Sequence, residues 1–268
     1  VNFIVKGERL FMREITSKDN RIFKLCEQLA LKKYRDRFSE YIIEGENLIA
    51  EALKTGTEIE ALICRREYQK IPKELSGKAF VMDERLFDKL AQTETSQGVL
   101  AVVKKPEISK EIFLNERGTN FVVLDRLQDP GNIGTILRTA DAAGYRLAVV
   151  MKGTADVFSP KTVRAATGSL FRMPVVFMDS NSELVEFSRA AGKKLVATCF
   201  DTECYYFDED LTKDIALIIG NEGNGISEEL MESSDLKIKI PMQGNIESLN
   251  ASVAAGILMY EAVRGKKG

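Results

Sequence analysis

The chain has 268 residues, 44% hydrophobic and 29% charged, with a net charge of −2 at pH 7 and no histidine. That composition suits an ordinary globular protein with room for one large or two modest domains, and no apolar run reaches the roughly 18 residues that a membrane helix needs. Without histidine, a Ser-His-Asp triad, a Cys-His pair and H-E-x-x-H zinc chemistry are excluded, which leaves carboxylates, Lys, Tyr, Cys or the substrate as proton acceptors.

In chain order, residues 1–37 hold ten Lys/Arg against five acids. This +5 leaves −7 for the rest, and it reads either as a phosphate-contacting arm or as a solvated helix face. No signal-like leader opens the sequence. A helix is expected over 17–33, then strand 41–43, helix 46–54, strands 61–64 and 79–82, helix 84–91 and strand 98–103. This is a small α/β domain over 1–104. The polar stretch 105–118, with Pro106 near its start and Gly118 at its end, reads as a linker. A second domain, 119–268, alternates strand and helix: strand 121–124, helix 133–143 closed by Gly144, strand 147–151, helix 160–167 opened by Ser159-Pro160, strand 173–177, helix 183–191 closed by Gly192, strands 195–199 and 215–219, helix 227–232 and strand 237–240. From Ser248 a last helix carries Leu249, Val253, Ile257 and Tyr260 in register. Continuous apolar strands between helices argue a mostly parallel sheet covered on both faces. Four spaced cysteines, Cys26, Cys64, Cys199 and Cys204, with no C-x-x-C pair, fit reduced thiols in a cytoplasmic protein and no metal site.

Ligands of such sheets lie beyond the carboxyl ends of the strands, where three loops draw notice. The first, 125–140, has a Pro-Gly turn, Asn132 at the helix mouth and Arg138 two turns on; these read as an N-cap and a surface arginine, or as site residues. The second, Gly220-Asn221-Glu222-Gly223-Asn224-Gly225, sets three glycines around one carboxylate, either a plain turn or a loop that lets backbone approach a ligand. It is not G-x-G-x-x-G and follows a late strand, which disfavours a nicotinamide-binding enzyme. The third, 241–250, leads into a helix of small residues (Ala251, Ser252, Ala254, Ala255, Gly256), where Gly256 is expected to permit close backbone approach.

Jointly, Asn132…Arg138-Thr139-Ala140, Leu217-Ile218-Ile219-Gly220-Asn221-Glu222-Gly223 and Ile240-Pro241-Met242…Ser248-Leu249-Asn250-Ala251-Ser252 resemble the three motifs of the SpoU/TrmH RNA ribose 2′-O-methyltransferases, within the SPOUT superfamily. The segment Glu44-Gly45-Glu46-Asn47-Leu48 is similar to their substrate-binding domain. The resemblance implies a C-terminal trefoil knot, S-adenosylmethionine held among the three loops, and a homodimer acting on RNA. Gly220, Ile240, Leu249, Thr198 and Met242 would line the cofactor. Arg138 would be catalytic, Asn132 with Ser248 or Asn250 would orient the ribose, and Glu222 would polarise Asn132 or Arg138 or hold its loop. No metal is implied. A separate N-terminal module points to ribosomal RNA; the rivals are the same chemistry on tRNA and a non-catalytic RNA- or cofactor-binding protein. The helix from 251 would set Ala251, Ala255 and Leu258 against the partner or the knot.

Overall fold

A computed structural model describes residues 2–5, 8–93, 95–246 and 248–264, with side chains from residue 12 onward; Lys6 of the basic segment and Glu247 of the third loop lie outside them. Two compact units form, residues 1–106 with 158–164, and residues 107–157 with 165–268.

In the first unit, β1 (Asn2–Val5) and β2 (Glu8–Phe11) pair antiparallel. There follow β3 (Arg13–Ile15), α1 (Arg21–Leu29), α2 (Lys32–Phe38), β4 (Glu40–Glu44), α3 (Glu46–Lys54), β5 (Ile59–Arg65), β6 (Ala79–Met82), α4 (Glu84–Phe87) and β7 (Val99–Lys104). Five strands build one mixed sheet in the order β3-β6-β5-β7-β4, in which β7 runs antiparallel to both of its neighbours. Phe23, Cys26 and Leu29 line one face of α1 and pack with Ile63, Leu100 and Val102 of the sheet. The single helix expected over 17–33 is two helices. Asn20 caps α1 by accepting the N–H of Ile22 at 2.8 Å, so the helix starts later than its periodicity suggests. It stops at Leu29, whose carbonyl accepts Arg35 Nη1 at 2.7 Å from the buried guanidinium of α2. The helix expected over 84–91 ends at Phe87.

The stretch read as a linker docks from residue 107 onward into the second unit. Phe113 is fully buried there and meets the ring of Phe121 edge-on at 6.2 Å.

The second unit runs β8 (Phe121–Leu124), α5 (Pro130–Ala142), β9 (Leu147–Met151), α6 (Pro160–Ala166, shared with the first unit), β10 (Val175–Met178), α7 (Asn181–Ala190), β11 (Lys194–Thr198), β12 (Ile215–Ile219), α8 (Glu228–Ser233), β13 (Leu236–Ile238) and α9 (Ala251–Glu261). Its sheet has the order β10-β9-β8-β12-β11-β13 and every pairing is parallel. The expected parallel architecture is therefore present, and β8, β9 and β12 are buried along their whole length, as strands covered on both faces must be. Beyond Ile238, Lys239 exchanges backbone hydrogen bonds with Cys204 and Tyr206, whereas Ile238 accepts from Cys199. Neighbouring residues of a strand bond to opposite sides, so residues 199–206 pass around the end of β13, which lies between β11 and the segment 204–206.

Two helix starts differ from expectation, for capping reasons. α5 begins at Pro130, where a missing N–H costs nothing, and Asp129 is the cap, accepting the N–H of Asn132 at 2.9 Å. α9 begins at Ala251 because Asn250 Oδ1 caps Ser252 N and Val253 N, which leaves Ser248 and Leu249 in the loop. The expected apolar stripe of α9 also faces the wrong way: Val253 and Tyr260 are each 51% exposed, while Ala255, Leu258 and Met259 are buried, where α9 packs on α5. A helix that is apolar nearly all round has no periodicity from which to read its inner face. Ala255 is thus covered within the chain itself. At Gly256 an added Cβ would lie 3.9 Å from Thr139 Cγ2, an ordinary contact, so close backbone approach is not what places glycine there.

Candidate functional site

The adjacent strands β8, β12, β11 and β13 deliver their following loops to one edge of the sheet, the carboxyl edge at which ligands of parallel sheets bind. The loop after β12 is the tightest. Asn221 and Gly225 exchange backbone hydrogen bonds at 3.0 and 2.9 Å, and Asn221 Oδ1 accepts the N–H groups of Gly223 and Asn224 at 2.9 Å each. A Cβ on Gly220 would stand 2.4 Å from Gly225 C and Ile226 N. Glycine is therefore required at 220 by the loop's own return, and not by a ligand pressing on it from the cleft.

The loop after β8 is bound to this turn. Buried Asp125 accepts Arg126 Nε at 3.0 Å and Ser227 N at 2.9 Å, and Asn221 Nδ2 donates to Arg126 O at 2.8 Å. Arg126 takes a left-handed φ of 57°, a conformation that a non-glycine residue keeps only where its surroundings hold it there.

Glu222 joins the three loops. Its Oε2 accepts the N–H of Gln128 at 3.0 Å; its Oε1 accepts the N–H of Asp129 and Asn132 Nδ2, each at 3.1 Å. Asn132 Oδ1 in turn accepts Asn250 Nδ2 at 2.9 Å, while Asn250 Oδ1 caps α9. An ionised carboxylate can only accept, so Asn132 must turn its amide nitrogen to Glu222 and its oxygen to Asn250. One negative charge sets the polarity of the whole chain. Partial burial pushes the Glu222 carboxyl up, but the hydrogen bonds from Asn132, Gln128 and Asp129 outweigh this and hold it below the usual carboxylate range.

Between these loops lies a cleft of about 460 Å³, within the range of small-molecule sites. Ile219, Ile238, Ile240, Met242 and Leu249 provide apolar walls, and residues 220–225 provide backbone polar groups. Gly220, Ile240, Leu249, Thr198 and Met242 all line it, as do Glu222, Ser248 and Asn250. Asn132 joins its rim through Glu222 and Asn250. Arg138 stands apart, exposed on α5, where its Nη1 donates to Thr167 Oγ1 at 3.4 Å. Among the lining residues that sequence reasoning did not name as such are Cys199, Phe200, Ile219, Ile238 and Lys239. Phe200 is 67% exposed, and an aromatic residue directly past the carboxyl end of a parallel strand was the signal available for it. Lys239 Nζ lies 5.0 Å from the ring centroid of Tyr205. Partial burial raises the Cys199 thiol, which disfavours a reactive thiolate.

Among the described residues no group of three or more Cys, Asp or Glu is placed to hold a metal, and no helix is long and apolar enough to cross a membrane. The site therefore offers an amphipathic cleft, a fixed carboxylate–amide chain on its rim and a separate arginine on the neighbouring helix. It is equipped to hold and orient reactants.

Known proteins resemble this chain in sequence and in fold. The model of the SpoU rRNA Methylase family matches residues 119–260, and that of the MRM3-like substrate binding domain matches residues 20–101. The chain is 38% identical to the 23S rRNA (guanosine(2553)-2′-O)-methyltransferase RlmP of Bacillus subtilis, over 93% of this chain and 98% of that protein. It is 35% identical to the 23S rRNA (uridine(2479)-2′-O)-methyltransferase of Streptomyces viridochromogenes, over 97% and 95%. The crystal structure of an AdoMet-bound rRNA methyltransferase from Sinorhizobium meliloti superposes with a TM-score of 0.87 at 31% identity, over 96% of this chain and 99% of that one.

Proposed function

The chain belongs to the SpoU rRNA methylase family, and from that premise we propose that it transfers a methyl group from S-adenosylmethionine to a ribose 2′-hydroxyl of ribosomal RNA. The observation that carries this reading is the cleft at the carboxyl edge, where the Glu222–Asn132–Asn250 chain ties all three motif loops together around an amphipathic cavity of suitable size. Ribosomal RNA is favoured over tRNA because two relatives that align along nearly the whole chain are by name 23S rRNA methyltransferases. The first 104 residues form the substrate-binding domain and residues from 119 onward the methyltransferase domain. The enzyme works in the cytoplasm.

The residues present fit the cofactor: Ile240, Met242 and Leu249 suit the apolar faces of a nucleoside, and the backbone of 220–225 suits its polar edges. When bound, S-adenosylmethionine supplies a methyl group on a sulfonium, so transfer forms an O–C bond while the C–S bond breaks and its electron pair stays on sulfur. The protein's task is to align the hydroxyl and stabilise the charge that grows on it. Asn132 and Asn250, locked by Glu222, orient the ribose, with Ser248 beside them in the cleft. Arg138 is exposed, so an RNA phosphate can reach it, and its guanidinium stabilises the forming alkoxide. Guanidinium stays protonated in proteins, which assigns proton removal to a phosphate oxygen or to solvent.

The insertion of β13 between β11 and residues 204–206, which precede it in the chain, supports a threaded, trefoil-knotted backbone. The exposed apolar residues Val253 and Tyr260 on α9 support a homodimer formed through this helix. Incubation with radiolabelled S-adenosylmethionine and deproteinised, unmodified ribosomal RNA, with tRNA in parallel, tests the activity. Label recovered as a 2′-O-methyl nucleoside from ribosomal RNA is expected. Cofactor binding with no incorporation into any RNA would establish the non-catalytic alternative, and label confined to tRNA would move the substrate.

A further inference from the structure

We propose that α2 is a docking strip for an RNA strand, in which Lys33 and Arg37 contact successive phosphates and Tyr34 offers its ring to an unpaired base; this rests on the reading of the protein as an RNA methyltransferase.

The helix reads Lys-Lys-Tyr-Arg-Asp-Arg-Phe, with one acid among four cations, in a chain whose net charge is −2. Its charges are not equivalent. Asp36 is occupied by Lys32 and by Lys105, the latter at 2.7 Å. Partial burial raises the Asp36 carboxyl, but these two lysines together hold it below its ordinary range. Arg35 is buried and turned to the carbonyl of Leu29. Lys33 and Arg37 remain, with no acidic partner among the described residues. They are one turn apart on the same face, about 6 Å along the axis at 1.5 Å per residue, a spacing that suits consecutive phosphates of one strand.

Each of these cations lies against an aromatic ring. Lys33 Nζ is 4.8 Å from the Tyr34 centroid, and Arg37 Cζ is 5.6 Å from that of Phe38. The two rings stack on each other at 6.0 Å, 13° from parallel. Both rings are half-buried and Phe38 packs on the domain core, so the cations are presented from an ordered surface rather than from free side chains. Leu31, 53% exposed one turn before Tyr34, extends the apolar side of the strip. Cations interleaved with aromatic faces are the means by which proteins hold single-stranded nucleic acid, charge tracking the backbone and rings receiving bases.

The test is a titration of the full-length protein with an unmodified 23S ribosomal RNA transcript over a series of KCl concentrations. Lys33→Ala with Arg37→Ala should raise Kd about tenfold and flatten the slope of log Kd against log[KCl] by roughly 1.4, at about 0.7 per phosphate for single strands. S-adenosylmethionine affinity and turnover at saturating RNA should stay unchanged. Lys33→Arg with Arg37→Lys should keep the wild-type slope, and Tyr34→Leu should weaken binding without altering it. Wild-type Kd and slope in the double alanine variant would overturn the proposal. So would competition by polyglutamate as effective as that by RNA, which would assign the strip to an acidic protein. A protein whose α2-dependent slope is as expected but which transfers no methyl group would sink the catalytic reading alone.

Discussion

Glu222→Gln tests the junction of the three loops. The carboxylate accepts three hydrogen bonds, from Gln128 N, Asp129 N and Asn132 Nδ2. The amide keeps one oxygen and puts an NH₂ where the other stood, so at least one donor now faces a donor. A hydrogen bond to a charged group contributes about 1.5–3 kcal/mol, and the bonds that survive lose roughly half their strength with the charge. Glu222 is exposed, and solvent screening cuts the net loss to about 1–2 kcal/mol. For a unit of this size that is a fall in Tm of about 2–8 °C at neutral pH. Because the folded-state carboxyl sits below its reference value of 4.5, its contribution is fully present above pH 4.5 and disappears as pH falls through the folded value. Thermal melts of both proteins from neutral to acid pH should therefore show a gap that is constant above about pH 5 and closes below 4.5. Methyl transfer at neutral pH should fall at least tenfold as Asn132 loses its fixed orientation, in the manner of a misplaced positioning group. A gap that persists undiminished into acid, or a variant as stable and active as wild type at pH 7, would refute the assignment of Glu222 as the charge that polarises the loops.

Three further outcomes are expected. Arg138→Ala should lower methyl transfer roughly 100-fold or more, the scale of losing one charge-stabilising donor, with cofactor affinity by calorimetry within severalfold of wild type; equal loss of both would move Arg138 from the reaction to the fold. Gly220→Ala should destabilise by about 1–3 kcal/mol, since its Cβ meets backbone that has no side-chain freedom to yield, and should weaken cofactor binding through the displaced turn; a normal melt with normal affinity would show that the turn relaxes without cost. The wild type should sediment as a dimer and Val253→Asp with Tyr260→Asp as a folded monomer, because both positions are exposed; a wild-type monomer, or a variant that still dimerises, would exclude this face. Ala255→Arg would not serve, as that residue is buried against the chain's own core.

The sequence by itself determined the two-part α/β organisation, the parallel sheet and the three loops that carry the site. Each has a local cause: the unbroken apolar runs of β8, β9 and β12 leave no solvated face, and Gly144 and Gly192, both at positive φ, end their helices where the backbone must turn left-handed. The cleft-lining positions Gly220, Ile240, Leu249, Thr198 and Met242 were named from the motif resemblance, and strand ends account only for where the loops that bear them lie. What only the tertiary structure decided depends on long-range partners. Whether Asn132 or Asp129 caps α5 turns on a side chain three residues away competing with a carboxylate ninety residues on. The inner face of α9 could not be read from a helix that is apolar all round, and the break between α1 and α2 depends on Arg35 reaching back to the carbonyl of Leu29. The reason for glycine at 220 lies in the return of its own loop five residues later, a contact that no pattern of spacing reveals. Periodicity and capping report what a residue can do within a turn or two; the polarity of a site is set by which charge the fold brings to it.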